Sequence, residues 1–289
     1  MEQRLLSNGT KDAIASLLDD PSPVVRRALI SHIESLGDAG RDFLRELAQG
    51  ANRISALHAR WFLMELKFAD PVSEFRGFIR SLGYEIETGV FLLSRTVYPD
   101  LDISEFCSRL DSIAARCREL MVEPLSVRER CKVINRVLFH ELGFRANIED
   151  CGDPEDSFLH RVLERKKGLP LMLSILYLLI AERCGLQLEP VGIPGHFLVG
   201  CYLDGETFFI DVVEHGRFLS PVDVAACLEQ RKLPMEDSYL APTTVREVLC
   251  CCCRNLERDF DAAKQLPLAQ MFASFVGEFD TAYEQNTSS

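Results

Sequence analysis

The segment from Pro170 to Cys184 carries Leu171, Met172, Leu173, Ile175, Leu176, Leu178, Leu179 and Ile180 with almost no polar interruption. Pro170 suits a first helical turn and Gly185 an exit, so the segment reads as one helix. Its apolar side chains run nearly all the way round. Such a helix does not lie on a surface; it has to be enclosed on most sides by other structure. The apolar run, Leu169 to Ala181, also stops well short of the roughly 20 residues that cross a bilayer, and no apolar signal segment opens the sequence. The expectation is a soluble, cytoplasmic protein built around a buried central helix, with no membrane partner. A net charge of −12 over 289 residues opposes nucleic-acid phosphates at long range, so no nucleic-acid partner is expected either. The 11 cysteines, an odd count, read as reduced thiols, many of them small core hydrophobes.

Residues 1–70 read as a helical region. Lys11–Leu18 and Val24–Leu36 are apolar at helical spacing, and Asp19, Asp20, Pro21, Ser22 and Pro23 between them supply a stop and a restart. The aspartate-proline turn followed by Val24-Val25-Arg26-Arg27-Ala28 resembles a HEAT-type helical repeat, with an unrelated helical bundle as the alternative. Either way an interaction or packing module is expected. The stretch to about residue 145 is again helical, with breaks at Pro71, Pro99 and Pro124. Beyond Asp153, Asp156 or Ser157 is placed to cap a helix running to Lys167, which Gly168 ends.

After the central helix the pattern turns to strands, Glu189–Ile193, His196–Leu203 and Glu206–Val213, before helix returns from Pro221. Asp204-Gly205 between the last two strands is a strong hairpin signal. A two-residue turn there sets Leu203 against Glu206, and hence His196 against Val213 and Leu198 against Asp211. Alternation then puts His196, Leu198, Gly200 and Tyr202 on one face with Thr207, Phe209, Asp211 and Val213. His196 and Asp211 become diagonal neighbours, roughly 7–8 Å apart across the strand pair, close enough for an imidazole to meet a carboxylate. A half-exposed histidine and an aspartate at a strand end satisfy the same spacing with no chemistry attached.

Four ordered blocks carry a family resemblance: Asp153-Pro154-Glu155-Asp156-Ser157-Phe158-Leu159, Arg165-Lys166-Lys167-Gly168-Leu169-Pro170-Leu171, Gly192-Ile193-Pro194-Gly195-His196-Phe197-Leu198-Val199, and Phe209-Ile210-Asp211. With Phe139-His140-Glu141-Leu142-Gly143-Phe144 upstream, the chain resembles the bacterial SirB-type transglutaminase-like proteins over about residues 75 to 225. The resemblance implies an α+β fold. A helical N-terminal region, 1–70, would precede a transglutaminase-like domain, 71–289, whose central helix packs on a small antiparallel sheet and whose C-terminus is helical. It also implies a papain-like site: a cysteine at the head of the central helix, a histidine opening one strand and an aspartate on the next. His196 and Asp211 match the latter two and are the candidate catalytic residues.

The nucleophile departs from that pattern. Where Gly-x-Cys would use the positive end of the helix to lower a thiol's pKa, the chain has Gly168-Leu169-Pro170. Ser174 lies one turn along and reads as a packed polar residue. Cys184 is at the negative end of the helix and Cys201 points to the opposite sheet face by parity. That leaves Cys151, in the loop before the first block, as the cysteine open to recruitment. Two further departures are Val212-Val213 after Asp211, where the family often has proline and an aromatic, and Asp156 in place of an asparagine.

Cys250-Cys251-Cys252-Cys253 offers half the spacing of a zinc site, but successive helical residues diverge by about 100°, so a half-buried helix is expected and no metal or cofactor. Arg161, Arg165, Lys166 and Lys167 form either an anion site or a solvated helix face, and Pro194-Gly195 either a ligand-approaching loop or an ordinary turn. The favoured function is a non-catalytic module that binds another protein or a small ligand. The alternatives are a papain-like hydrolase or acyltransferase using His196 as base, Asp211 as its orienter and an unidentified nucleophile, and a helical scaffold in which the core is merely structural. Oligomeric state is not legible.

Overall fold

The computed structural model describes residues 6–20, 22–50, 52–66, 70–147, 152–203 and 207–287. Packing divides the chain into two units, Met1–Glu74 and Phe75–Ser289.

The first unit is helical: α1 (Asn8–Leu17), α2 (Pro23–Leu36), α3 (Asp38–Gln49) and α4 (Arg53–Glu65). Ser7 caps α1 by accepting the Thr10 N–H, and Pro23 opens α2 at the position where its missing N–H costs nothing. Ile14, Leu18, Leu29, Ile33, Phe43, Leu44 and Phe62 recur at helical spacing and form the core of this unit.

The helix α5 (Pro71–Ser81) spans the division between the units. In the second unit, α6 (Ile86–Arg95), α7 (Ile103–Leu120) and α8 (Val127–Asn135) come first, and α8 runs into a π-helical turn, Arg136–Glu141. Two-residue strands β1 (Arg145–Ala146) and β2 (Lys167–Gly168) pair in parallel on either side of α9 (Leu159–Arg165). The central helix α10 (Pro170–Arg183) is buried at every position from Leu171 to Ala181, as an all-round apolar helix must be. An antiparallel sheet follows in the order β3 (Glu189–Ile193), β4 (His196–Cys201), β5 (Phe208–Asp211), β6 (Arg217–Leu219). The chain then returns to helix in α11 (Pro221–Gln230), α12 (Val245–Ala262) and α13 (Leu266–Thr287). The α+β architecture, with helical flanks around a buried helix on a small sheet, is borne out. Among the described residues no helix is long and apolar enough to cross a membrane.

Several local expectations are corrected. Neither Asp156 nor Ser157 caps α9, whose N-cap is Phe158 with no side-chain cap; both lie in a 3-10 turn, Pro154–Ser157, at whose start Asp153 accepts the Glu155 N–H. Lys166 ends α9 in the left-handed conformation, which frees Lys167-Gly168 to pair with β1. The two hairpin strands are shorter than their alternation suggested, and Asp204-Gly205 lies outside the described residues. Their register is nonetheless the expected one, with Val199 opposite Ile210, Gly200 opposite Phe209 and Cys201 opposite Phe208. The chain leaves β5 at Asp211 and turns back into β6, a strand the sequence pattern did not disclose.

Candidate functional site

The register that sets Gly200 against Phe209 brings His196 diagonally across from Asp211 on the same sheet face. Their side chains are in contact, Nε2 of His196 lying 2.9 Å from Oδ2 of Asp211. The second carboxylate oxygen, Oδ1, accepts the backbone N–H groups of Val213 at 2.9 Å and Glu214 at 3.4 Å. Burial by itself pushes the Asp211 carboxyl up. The hydrogen bond and charge of His196, together with the Val213 and Glu214 N–H groups, outweigh it and hold the carboxyl below its ordinary value. Asp211 is therefore an ionised, fully engaged acceptor, the condition under which a carboxylate fixes the orientation of an imidazole.

The aspartate is held in turn by the tight connection that follows it. Gly216 donates its N–H to the Asp211 carbonyl at 2.8 Å, and its own carbonyl accepts from Nδ2 of Asn135, at the end of α8, at 2.7 Å. At φ +84°, and with the Asn135 side chain standing where a Cβ would be, position 216 requires glycine. Asn135 thus anchors the β5–β6 turn to the helical layer, a role not legible from residue pattern alone.

Which way the pair faces decides its chemistry. His196 and Asp211 lie on the side of the sheet where Leu198, Phe209 and Leu219 pack with Val224 and Leu228 of α11. The other side carries Val199, Cys201, Phe208 and Ile210. Cys201 there neighbours Cys131, whose carbonyl accepts the hydroxyl of Tyr177 from the central helix. The imidazole and carboxylate consequently look toward α11, away from the side occupied by α10. They line a cavity of about 30 Å³, room for one or two water molecules. No residue of α10 is among those lining it; Cys227 and Arg231 at the end of α11 are. Cys227 makes no hydrogen bond to His196 among the described residues. It was overlooked in the sequence because Val224, Cys227 and Leu228 sit at helical spacing and read as an ordinary apolar stripe. Larger open grooves lie elsewhere, such as one of about 640 Å³ beside the Arg183–Glu87 ion pair.

The remaining candidates disperse. Pro170 occupies the first turn of α10. Ser174 is fully buried and its hydroxyl has no hydrogen-bond partner among the described residues. Cys184 caps the far end of α10 beside Cys117. Cys151 lies outside the described residues. Of the run on α12, Cys250, Cys252 and Cys253 are buried, and burial pushes the Cys250 thiol up to about 11. No group of three or more His, Cys, Asp or Glu side chains is placed to hold a metal among the described residues. The basic cluster is neither a bare solvated face nor an open anion site: Arg161 pairs with Glu155 and Glu164, Arg165 with Asp153 and Asp156, and Lys166 stands over the Phe144 ring. Asp156, fully buried, also accepts from Asn147, so its departure from asparagine is absorbed by Arg165.

A buried helix backing a sheet that carries a histidine–aspartate pair is what the family resemblance implied, and the model of the transglutaminase-like superfamily matches residues 104–254, just over half of the sequence; the chain belongs to that superfamily. Within it, the similarity runs to UPF0162 proteins, which bears out the SirB-type resemblance. One from Xylella fastidiosa is 32% identical over 179 residues, covering 57% of this chain and 61% of the relative. A UPF0162 protein of Vibrio cholerae is 24% identical over 151 residues, 52% of this chain and 56% of the relative. The human F-box only protein 21 is 28% identical over 151 residues, 52% of this chain but 23% of that protein. The chain thus spans about three fifths of the length of the Xylella relatives it matches. No solved structure matches.

Proposed function

We propose that this chain is a non-catalytic transglutaminase-like protein that works as a binding module for another protein or a small ligand. The observation that carries this reading is that Pro170 holds the helix-head position while the His196–Asp211 pair faces α11 across a cavity of about 30 Å³. A proline has no nucleophile to offer, and acyl transfer needs one within reach of the base. An oriented imidazole remains a good recognition group, able to donate or accept one hydrogen bond at its free nitrogen. Fold membership by itself does not confer the chemistry.

One observation favours a second reading, a thiol enzyme: Cys227 lines the same cavity as His196. Brief iodoacetamide labelling near pH 6.5 followed by peptide mapping separates the two, because an activated thiolate reacts far faster than an ordinary thiol. The expected result is slow labelling at every cysteine, unchanged in His196→Ala. Fast labelling at Cys227 that disappears in His196→Ala would replace the binding-module reading with the enzymatic one. Binding through the cleft is tested by comparing partner recovery by wild type and His196→Ala at matched thermal stability, with loss expected for the variant.

A further inference from the structure

We infer that the exposed face of α4 is a docking surface for an acidic amphipathic helix of a partner protein. The side chains Ile54, Leu57 and Trp61 recur at the i, i+3, i+7 spacing of one helix face and are 63%, 65% and 38% exposed. The opposite face of the same helix, Ala56, Ala59, Phe62 and Leu63, already fills the core of the unit, so the outer row is surplus to folding. Three large apolar side chains aligned over about 10 Å are an unusual exposure for a helix that needs only one buried stripe, and apolar patches with a polar rim mark interaction sites.

The charges around the row select the occupant. Arg53 and Arg60 flank it on α4, and Arg26 of α2 lies over the Trp61 ring with its guanidinium carbon 5.4 Å from the ring centroid. None of these is ion-paired among the described residues; Arg26 and Arg60 donate to the backbone carbonyls of Asp20 and Ala48. On α3, Asp38, Asp42 and Glu46 are committed to Arg41, Arg45 and Lys11. A row of apolar anchors flanked by the guanidiniums of Arg26, Arg53 and Arg60 complements a helix with leucine-type residues on one face and Asp or Glu beside them, the helix-in-groove mode of recognition. Tryptophan and arginine are also the side chains that most often dominate binding energy at such interfaces. Nucleic acid is disfavoured as the occupant by the chain's net charge of −12. The inference does not depend on the His196 cavity, which lies in the other unit, so either can fail alone.

Trp61 is the sole tryptophan of the chain, so its emission reports this face directly. The full chain is titrated with a synthetic amphipathic helix carrying Leu on one face and Glu on the other, and with its Lys counterpart. The Glu helix is expected to shift Trp61 emission to the blue, more weakly as salt rises, and the Lys helix to leave it unchanged. Leu57→Asp and Arg53→Glu should each weaken binding about tenfold or more with far-ultraviolet circular dichroism unaltered; a glutamate at the first turn of α4 suits the helix dipole, so lost binding there is not lost folding. No emission change with the Glu helix, or equal responses to the two helices, overturns the inference. So does a matching shift with a single-stranded oligonucleotide, or a sedimenting dimer that Leu57→Asp dissolves, which would make the occupant a nucleic acid or a second copy.

Discussion

His160 is nearly fully buried, with Tyr98, Phe106 and Phe158 packed around its ring and neither ring nitrogen hydrogen-bonded among the described residues. Burial lowers its pKa to about 4, against a smaller opposing pull from Glu164. The unfolded chain therefore takes up a proton near pH 6.5 that the folded one refuses until about pH 4. Stability from this group is complete above the unfolded value and falls by about 3 kcal/mol as pH drops through that window. His160→Phe should flatten the loss, measured as urea midpoints between pH 7 and pH 4; parallel pH profiles for the two proteins would mean the ring does not titrate this way. Asp211 works with the opposite ion but the same sign. Its carboxyl is held below the ordinary 3.8, so its contribution is present above that value and lost as pH falls further. Asp211→Asn is expected to destabilise by about 1–3 kcal/mol at neutral pH and progressively less below pH 4, where wild type loses the same interaction. A constant difference at all pH values would assign the loss to packing alone.

The turn between β5 and β6 is the element on which the pair depends. Gly216→Ala would force a side chain into the positive-φ region and onto Asn135, at a cost of about 2 kcal/mol or more. Because Gly216 also holds the Asp211 carbonyl, the substitution should shift the His196 ring resonances as well as the unfolding midpoint; a lower midpoint with unmoved resonances would separate the turn from the site. Legibility in the sequence follows from the same physics. The helix α10 and the register of β4 with β5 were readable because burial writes long runs and strict alternation into the residues. The pairing of His196 with Asp211 followed from that register. The strand β6 is three residues long, and nothing in Arg217-Phe218-Leu219 distinguishes it from a loop until Gly216 reverses the chain. Which face of the sheet meets α10 was equally hidden, since both faces carry large apolar side chains and alternation fixes parity without fixing direction. The same ambiguity hid Cys227 further, beyond its place in an apolar helical stripe, because α11 rather than α10 covers the histidine side.

At the scale of the molecule, the division at Glu74 and Phe75 separates two cores. The first is closed by Ile33, Leu44 and Phe62 from three different helices; the second gathers α10 and the sheet. Cores that share few side chains unfold as separate cooperative steps, and a single transition is the mark of one cooperative unit. Two calorimetric transitions are expected. Phe62→Ala empties the first core and should lower one transition by about 10 °C or more, while Ile210→Ala, in the middle of β5, should lower the other by about 5–15 °C and leave its companion in place. The assignment can be checked without calorimetry, because Trp61 belongs to the first unit and its emission should follow only the Phe62-sensitive step. If both substitutions moved one shared transition, or if Trp61 emission tracked the Ile210-sensitive step, the two cores would be one. The docking surface on α4 and the histidine cavity would then have to be treated as energetically coupled sites, and partner binding at the first should protect the second from unfolding. With separate transitions, a helix bound at α4 should raise only the step that Trp61 reports.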